Sequence, residues 1–524
     1  MRSTKDFIKD GLLLTLTSLL LRSAGVFFSA RLSIIAGTSV MGLYTQIMTV
    51  YAFAVTAASA GINLGAMRIV SECCGNESYD KIRTAVAVCI RYCIMTGLIV
   101  GALTFVFAPF FGIKILGDKR TVSCLRALSI ALPFIAVSNA FHGYFNGVKQ
   151  ISKSAFTSIF EQFSRIISTL TALSLCSGSS TETLCLILVI CNAASEAVSC
   201  FILTFFYFIT AKKFPKAERS TSDLKKRFQG ITIPIAISSL IRSALTTTEH
   251  ILIPIGLLSS GLNRETALSE YGIISGLVLP ILLYPMALLS SFASITIAEL
   301  SSRVSSGEQL NSIKHTVSKG LSFALIYGIG CTFIIGSFSN QLANVIYKNP
   351  YAGYFIKVMA PLIIFMYLDH ISDGMLKGLD QQNYVMKVNI FDAFLSVVFA
   401  IVLIPTFGIY GFAASLYLCE IMNCCFSFGK IYLLTKPEIY VLKSLILPCS
   451  AALISTHCTY IIQGRFNLVS GILISILIYV MLLKITASLT VFENPRDIFY
   501  DNTYAEYKIK ASEKALEESS ITQT

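Results

Sequence analysis

Charge is scarce in this chain. Asp, Glu, Lys and Arg supply only 13% of its 524 residues, against 54% hydrophobic residues. A soluble chain carries about a quarter charged residues, so dividing this length into several soluble domains is excluded. Long polar stretches between the apolar runs are missing as well. The segment 35–40 offers neither catalytic carboxylates nor room for an external domain, which argues against a membrane glycosyltransferase or ligase. No CxxC pair occurs among the 15 cysteines. Cys89, Cys93, Cys185, Cys191 and Cys200 are scattered through apolar stretches and read as reduced, small hydrophobes rather than disulfide or metal ligands. The first apolar run is too long for a signal-peptide core and lacks a cleavage site, so it reads as a retained helix.

What is present is apolar sequence in spans of about 20 residues, each long enough to cross roughly 30 Å of hydrocarbon. Hydropathy and helix breakers place fourteen spans at 10–34, 41–71, 84–111, 122–147, 153–177, 183–211, 229–258, 268–301, 313–340, 352–379, 383–405, 409–434, 439–462 and 467–490. The net charge of +12 is better explained by the loops than by nucleic acid. The linker 212–228 carries Lys212, Lys213, Lys216, Arg219, Lys225, Lys226 and Arg227, and the connections after the second, fourth, eighth and twelfth spans are basic too. By the positive-inside rule these loops and both termini are expected to face the cytoplasm. Lys114, Lys119 and Arg120 are the main basic exception on the opposite side. The polar tail 491–524 reads as disordered.

A repeat lies beneath the hydropathy. "SLLLRSA" from Ser18 returns as "SSLIRSA" from Ser238, displaced by 220 positions. "GYFNGVKQ" from Gly143 returns as "GMLKGLDQ" from Gly374, and "SIFEQF" from Ser158 as "NIFDAF" from Asn389, both displaced by 231. Glu196-x-x-x-Cys200 returns as Glu420-x-x-x-Cys424. The expected fold is therefore an all-α polytopic membrane protein of about 14 transmembrane helices. It has two parallel six-helix repeat lobes (1–211 and 229–435), a two-helix appendage (436–490) and substrate sites between the lobes.

The stretch "MGLYTQIMTVYAFAVTAASAGINLGAMRIVSE" (Met41–Glu72) resembles the second-span signature of the multidrug/oligosaccharidyl-lipid/polysaccharide flippases. The likeness is to the polysaccharide-transporter branch, nearest the stage V sporulation protein B group. It extends over essentially Met1 to Thr490 and implies two lobes, a central cavity, alternating access and a lipid-diphosphate-linked saccharide as cargo. Related lipid II flippases carry a further arginine one and a half turns after the first, where this chain has Phe28.

Charges within the spans are the candidate site. Arg22 lies about 16 Å into the first span, counting 1.5 Å per residue from Gly11, and Arg242 lies at a similar depth in the seventh. Repeat symmetry would face them across the lobe interface, where two guanidiniums could clamp a diphosphate. The bland alternative is a structural strut. Arg31, nine residues on, falls on the opposite helix face unless the helix bends near Gly25, and is a third substrate candidate. Asp392, with Asn389 one turn before it, and the repeat partner Glu161 are candidates for Na⁺ or proton coupling. Their alternative is helix packing, and Glu249, Glu299, Asp369 and Glu420 are secondary acids. The expected function is a flippase for a polyprenyl-diphosphate oligosaccharide or cell-wall precursor. It would be no enzyme, have no resident cofactor, and have membrane lipids and envelope-synthesis enzymes as partners. The rivals are a cation-coupled multidrug exporter and a non-transporting scaffold for envelope or spore-coat assembly. The first helix, with arginines and no acid after Asp10, argues against the exporter.

Overall fold

The computed structural model describes residues 4–75, 81–176, 180–211, 221–305, 310–438, 440–462 and 467–486, and all its elements are helical. The tail 491–524 and Lys212, Lys213, Lys216 and Arg219 of the linker lie outside the described residues.

The first lobe contains α1 (Thr4–Ala36), α2 (Thr38–Ser59), α3 (Ile62–Gly75), α4 (Lys81–Pro109), α5 (Arg120–Ser129), α6 (Leu132–Gly147), α7 (Ile151–Leu175) and α8 (Thr181–Ala211). The second contains α9 (Thr221–Ser259), α10 (Arg264–Ile273), α11 (Leu279–Leu283), α12 (Met286–Ser305), α13 (Leu310–Ser337), α14 (Ser339–Leu342), α15 (Pro350–Met359), α16 (Leu362–Gly378), α17 (Gln382–Phe407) and α18 (Ile409–Thr435). The appendage is α19 (Leu447–Ile462) and α20 (Leu468–Ile485), which pack on α13 through Tyr479, Leu483 and Ala452. Helix α9 takes in Lys225, Lys226 and Arg227 of the basic linker.

Among the described residues ten helices are long and apolar enough to cross a membrane, or twelve if the bent pairs α5–α6 and α15–α16 each form one span. The sequence also suggested α7 and α19. Glu161, Gln162 and Arg165 make α7 too polar by that measure, and α19 has 16 residues.

Local sequence explains the elements. In α2 the buried positions Leu43, Ile47, Val50, Ala54 and Ala58 recur at helical spacing and enter the first lobe's core. Asn263 caps α10 by accepting from Thr266 N at 2.9 Å, and Asn349 caps α15 with Pro350 in its first turn.

Corresponding helices make corresponding contacts in the two halves. Gly143 and Gly147 of α6 pack on α3, and Gly374 and Gly378 of α16 pack on α12. Ser71 Oγ donates to Gly147 O at 3.4 Å, and Ser301 Oγ donates to Gly378 O at 3.3 Å.

The lobes meet where α2 and α10 begin, hereafter the Gly37 end. A Cβ on Gly42 would lie 1.9 Å from Leu268 O, and one on Gly272 would lie 2.6 Å from Thr38 O, so only glycine allows this crossing. Thr38 Oγ1 and Ser269 Oγ share a hydrogen bond of 2.6 Å beside it. Helix α9 ties the lobes differently. Its Phe228 lies in a core with α3 and α4, while its Ile253 and Leu257 lie in the second lobe's core.

Candidate functional site

Between α11 and α12 the chain reads Tyr284-Pro285, and proline has no N–H for the helix ladder. The local bonds tighten: Tyr284 N donates to Ile281 O at 3.3 Å and Leu288 N to Pro285 O at 3.2 Å. Three carbonyls at this break receive side-chain donors. Tyr367 Oη donates to Leu282 O and Tyr327 Oη to Pro285 O, each at 2.9 Å. The third, Leu283 O, accepts from Arg22 Nη1 at 2.9 Å, across the lobe boundary. Ser23 Oγ lies 3.0 Å from Tyr284 Oη beside it. The midspan arginine of α1 thus satisfies a backbone carbonyl of the other lobe.

Arg242 has different surroundings. It is exposed, and among the described residues it makes no hydrogen bond or ion pair, although its charge acts on Asp392 of α17. Among the described residues no hydrogen bond joins Arg22 to Arg242; Arg22 is bonded to Leu283 O, and Arg242 acts on Asp392 through its charge. Helix α1 runs unbroken through Gly25, so Arg31 stays on another face from Arg22. It lies exposed in a stripe with Leu20, Ser23 and Phe27, its guanidinium 5.4 Å from the Phe27 ring centre.

The acids gather in two places. In the first lobe Glu161 of α7 and Glu196 of α8 lie within each other's electrostatic reach and that of Arg165. Arg165 donates to Asn192 Oδ1 at 3.1 Å and to Gln162 Oε1. In the second lobe Ser427 Oγ bridges Asp369 Oδ1 at 3.0 Å and Asp373 Oδ1 at 3.2 Å. Asn423 Nδ2 donates to Asp369 Oδ2 at 3.1 Å, and Asn389 Nδ2 to Asp373 Oδ2 at 3.2 Å. Asp392 and Glu420 stand within the field of this pair, and Glu249 within that of Asp392. Asn389 therefore turns to Asp373 as its bonded partner. Among the described residues no group of three or more His, Cys, Asp or Glu side chains is arranged to hold a metal ion. The side chain of Glu299 lies outside those described.

Asp373, Arg165, Asn423 and Ser427 did not emerge from the sequence as site residues. The repeat carried the signal: Asp373 immediately precedes Gly374 of one matched motif, and Arg165 follows the Glu161 motif by one turn.

The basic exception at the Gly37 end also has a partner. Asp118, 6% exposed, accepts from Arg120 Nη2 at 2.6 Å and from Arg264 Nε at 3.2 Å. Arg264 Nη2 also donates to Leu116 O at 2.7 Å, joining α10 of one lobe to the α4–α5 turn of the other. Burial raises the Asp118 carboxyl's proton affinity, but Arg120's hydrogen bonds outweigh it and hold the group below its ordinary value. A cavity of about 200 Å³ lies beside this clamp, lined in part by Gln46, Lys114, Pro254 and Arg264. At the opposite end Glu72 of α3 meets Arg68 at 3.4 Å and Arg227 of α9 at 2.7 Å.

This architecture has known counterparts. The family model for polysaccharide biosynthesis proteins matches residues 7–261, and the MatE model matches residues 234–402. The chain belongs to the multidrug/oligosaccharidyl-lipid/polysaccharide flippase superfamily. Within that superfamily it falls in the polysaccharide-transporter branch, as a multi-pass membrane transporter. Stage V sporulation protein B of Bacillus subtilis (strain 168) is 23% identical over 423 residues, covering 79% of this chain and 81% of that protein. Lipid II flippase MurJ of the same organism is 23% identical over 177 residues, 32% of each chain. Among solved structures, lipid II flippase MurJ in an inward closed conformation aligns with a TM-score of 0.67 and 13% identity, covering 91% of this chain and 98% of that one. An inward-facing multidrug resistance MATE family transporter aligns with a TM-score of 0.58 and 13% identity, covering 80% and 96%.

Proposed function

We propose that this superfamily member flips a polyprenyl-diphosphate-linked saccharide across the bacterial cytoplasmic membrane by alternating access. Its termini face the cytoplasm and its Gly37 end faces outward. It carries out no covalent step on the cargo. The observation that carries this reading is the arginine at the corresponding point of each lobe's first helix, Arg22 and Arg242. A guanidinium in a span costs several kcal/mol, about 3 on insertion scales. A diphosphate that sheds water in the cavity needs fixed positive charge, whereas an alkyl or aromatic cargo does not. The named relatives, one a lipid II flippase, support the cargo class. The clamp at Asp118 and the glycine crossing at Gly42 and Gly272 support a state closed outward.

Coupling is proposed at the second lobe's acids, where a monovalent cation or a proton would be exchanged. Asn423 Oδ1 is buried without a hydrogen-bond partner among the described residues, beside Asp369, and fits an oxygen-rich site for such a cation. Asp369, Asp373, Asn423 and Ser427 would hold it, with Asp392 and Glu420 adding negative field. The cation would supply the charge balance that the gradient drives.

The test is translocation of a labelled polyprenyl-diphosphate saccharide in proteoliposomes. The Arg22→Ala/Arg242→Ala double variant should elute as a monodisperse protein and show no flipping above protein-free vesicles. Wild-type flipping by the folded double variant rules the diphosphate reading out.

A further inference from the structure

The break between α11 and α12 is held by three donors of unequal character. In an unbroken helix Leu282 O and Leu283 O would receive the N–H groups of Met286 and Ala287. Ala287 N–H turns instead to Tyr284 O at 3.4 Å. Met286 N–H faces the Tyr367 hydroxyl, which passes its own hydrogen on to Leu282 O. A hydroxyl has thus inserted into the helix ladder, a recognised cause of a sharp bend. Tyr367 and Tyr327 are neutral, belong to the same lobe as the break, and stack on one another with ring centres 5.8 Å apart. Arg22 alone of the three is charged, and it alone comes from the other lobe. It is half-buried, and its remaining N–H groups have no protein acceptor among the described residues.

We propose that Arg22 is a shared donor. Without cargo it caps Leu283 O and fixes the angle between α11 and α12; the cargo's diphosphate then takes the guanidinium over, and binding itself releases that hinge. This rests on the diphosphate reading above. A guanidinium meets a diphosphate through bidentate bonds to an opposite charge, whereas Leu283 O offers it a single neutral acceptor, so the phosphate wins the competition. Leu283 O is then left without its donor inside the span, an unfavourable state that a changed hinge angle or entering water relieves. Tyr327 and Tyr367 are positioning residues: they hold the other two carbonyls throughout, so the release is confined to one bond. The link between the lobes at this depth loosens at the moment of loading, while the Asp118 clamp at the Gly37 end is untouched. A ligand can shift such an equilibrium only through differential contact with the two states, and here the difference is one bond exchanged for a stronger one.

The test is hydrogen–deuterium exchange of the backbone amides of residues 284–290 in the full-length protein in nanodiscs, with and without undecaprenyl diphosphate. Native mass spectrometry reports whether the probe is bound. In wild type the probe should raise exchange there at least fivefold. Arg22→Gln keeps an amide donor for Leu283 O but no charge, and its exchange should not respond. Tyr367→Phe should exchange faster from the start and still respond to the probe. An unchanged wild-type rate with the probe bound overturns the shared-donor proposal and leaves the diphosphate reading standing. Absence of binding overturns both. An Arg22→Gln protein responding like wild type also overturns the proposal, and the wild-type arm decides even if that variant does not fold.

Discussion

In the first lobe Glu161 of α7 and Glu196 of α8 lie within the field of Arg165; in the second, the corresponding Asp392 of α17 and Glu420 of α18 lie within that of Asp369 and Asp373 of α16, and Ser396 stands where the repeat places Arg165. Across the same repeat, Ser138 and His142 of α6 become Asp369 and Asp373 of α16. One plan has therefore been charged in two ways. The first lobe carries a covalently attached cation whose guanidinium is steered by two neutral amides. The second concentrates carboxylates and steadies them with hydroxyl and amide hydrogens, while Arg242 and Lys377 act on them through their charge without bonding to them. Carboxylates within a span are expensive, and the exchangeable cation proposed above would complete the second arrangement. The first has no such need.

Removing Arg165 should break this comparison most severely. Arg165→Ala leaves Glu161 and Glu196 facing each other with no cation, and should destabilise the protein by about 3–5 kcal/mol, as one-sided deletion of a buried charge does. Ser396→Ala at the corresponding place should cost about 1 kcal/mol. Thermal unfolding in detergent compares the two, and equal stability would mean that the first lobe is not neutralised from within.

Next in size is a functional effect confined to the other lobe. The Asp369→Asn/Asp373→Asn double variant should lower gradient-driven flipping at least tenfold, about 1.4 kcal/mol or more in coupling free energy. Glu161→Gln should leave the gradient dependence in place. If both variants lose it, the lobes do not divide the work. Asp392→Asn sharpens the same contrast: it adds to the field of the pair without touching it, and its effect should be smaller than that of the pair.

The Asp118 clamp should give the smallest change. Asp118→Asn removes the ionic part of the bond to Arg264, and spin-label distances across the Gly37 end should show the open population rising several-fold, about 1 kcal/mol. Its pH dependence has a definite sign. The folded carboxyl lies below its ordinary value of 3.8, so the contribution is fully present above that value and fades only as pH falls through the lowered one. Closure of the wild type should therefore be constant from neutral pH to about pH 5. Loss of closure between pH 7 and pH 5 would place the controlling group elsewhere.

Much of this was legible in the chain itself. Low charge and span length gave the class, and the paired motifs at Arg22 and Arg242, Gly143 and Gly374, and Glu161 and Asp392 fall on corresponding helices. The arginines' partners were not legible. A backbone carbonyl has no letter in a sequence, so Leu283 O could not be foreseen as the acceptor for Arg22; only Pro285 hinted that carbonyls nearby would lack donors. Arg31 was separable by helical geometry alone, and its place on another face of α1 follows from that spacing. Asp373 escaped notice because it sits at a motif's edge, next to Gly374, where attention goes to close packing.

Helix α9 begins in one core and ends in the other, with Arg227 and Phe228 anchored beside α3 and α4 and Ile253 and Leu257 built into the opposite half. In the language of assembly this is an exchanged arm, of the kind by which two subunits embrace each other. Each half therefore completes the other's interior, and cutting the chain between them would separate two polypeptides without separating two bodies. Halves made as separate chains, divided at 212–220, should find each other in the membrane and assemble.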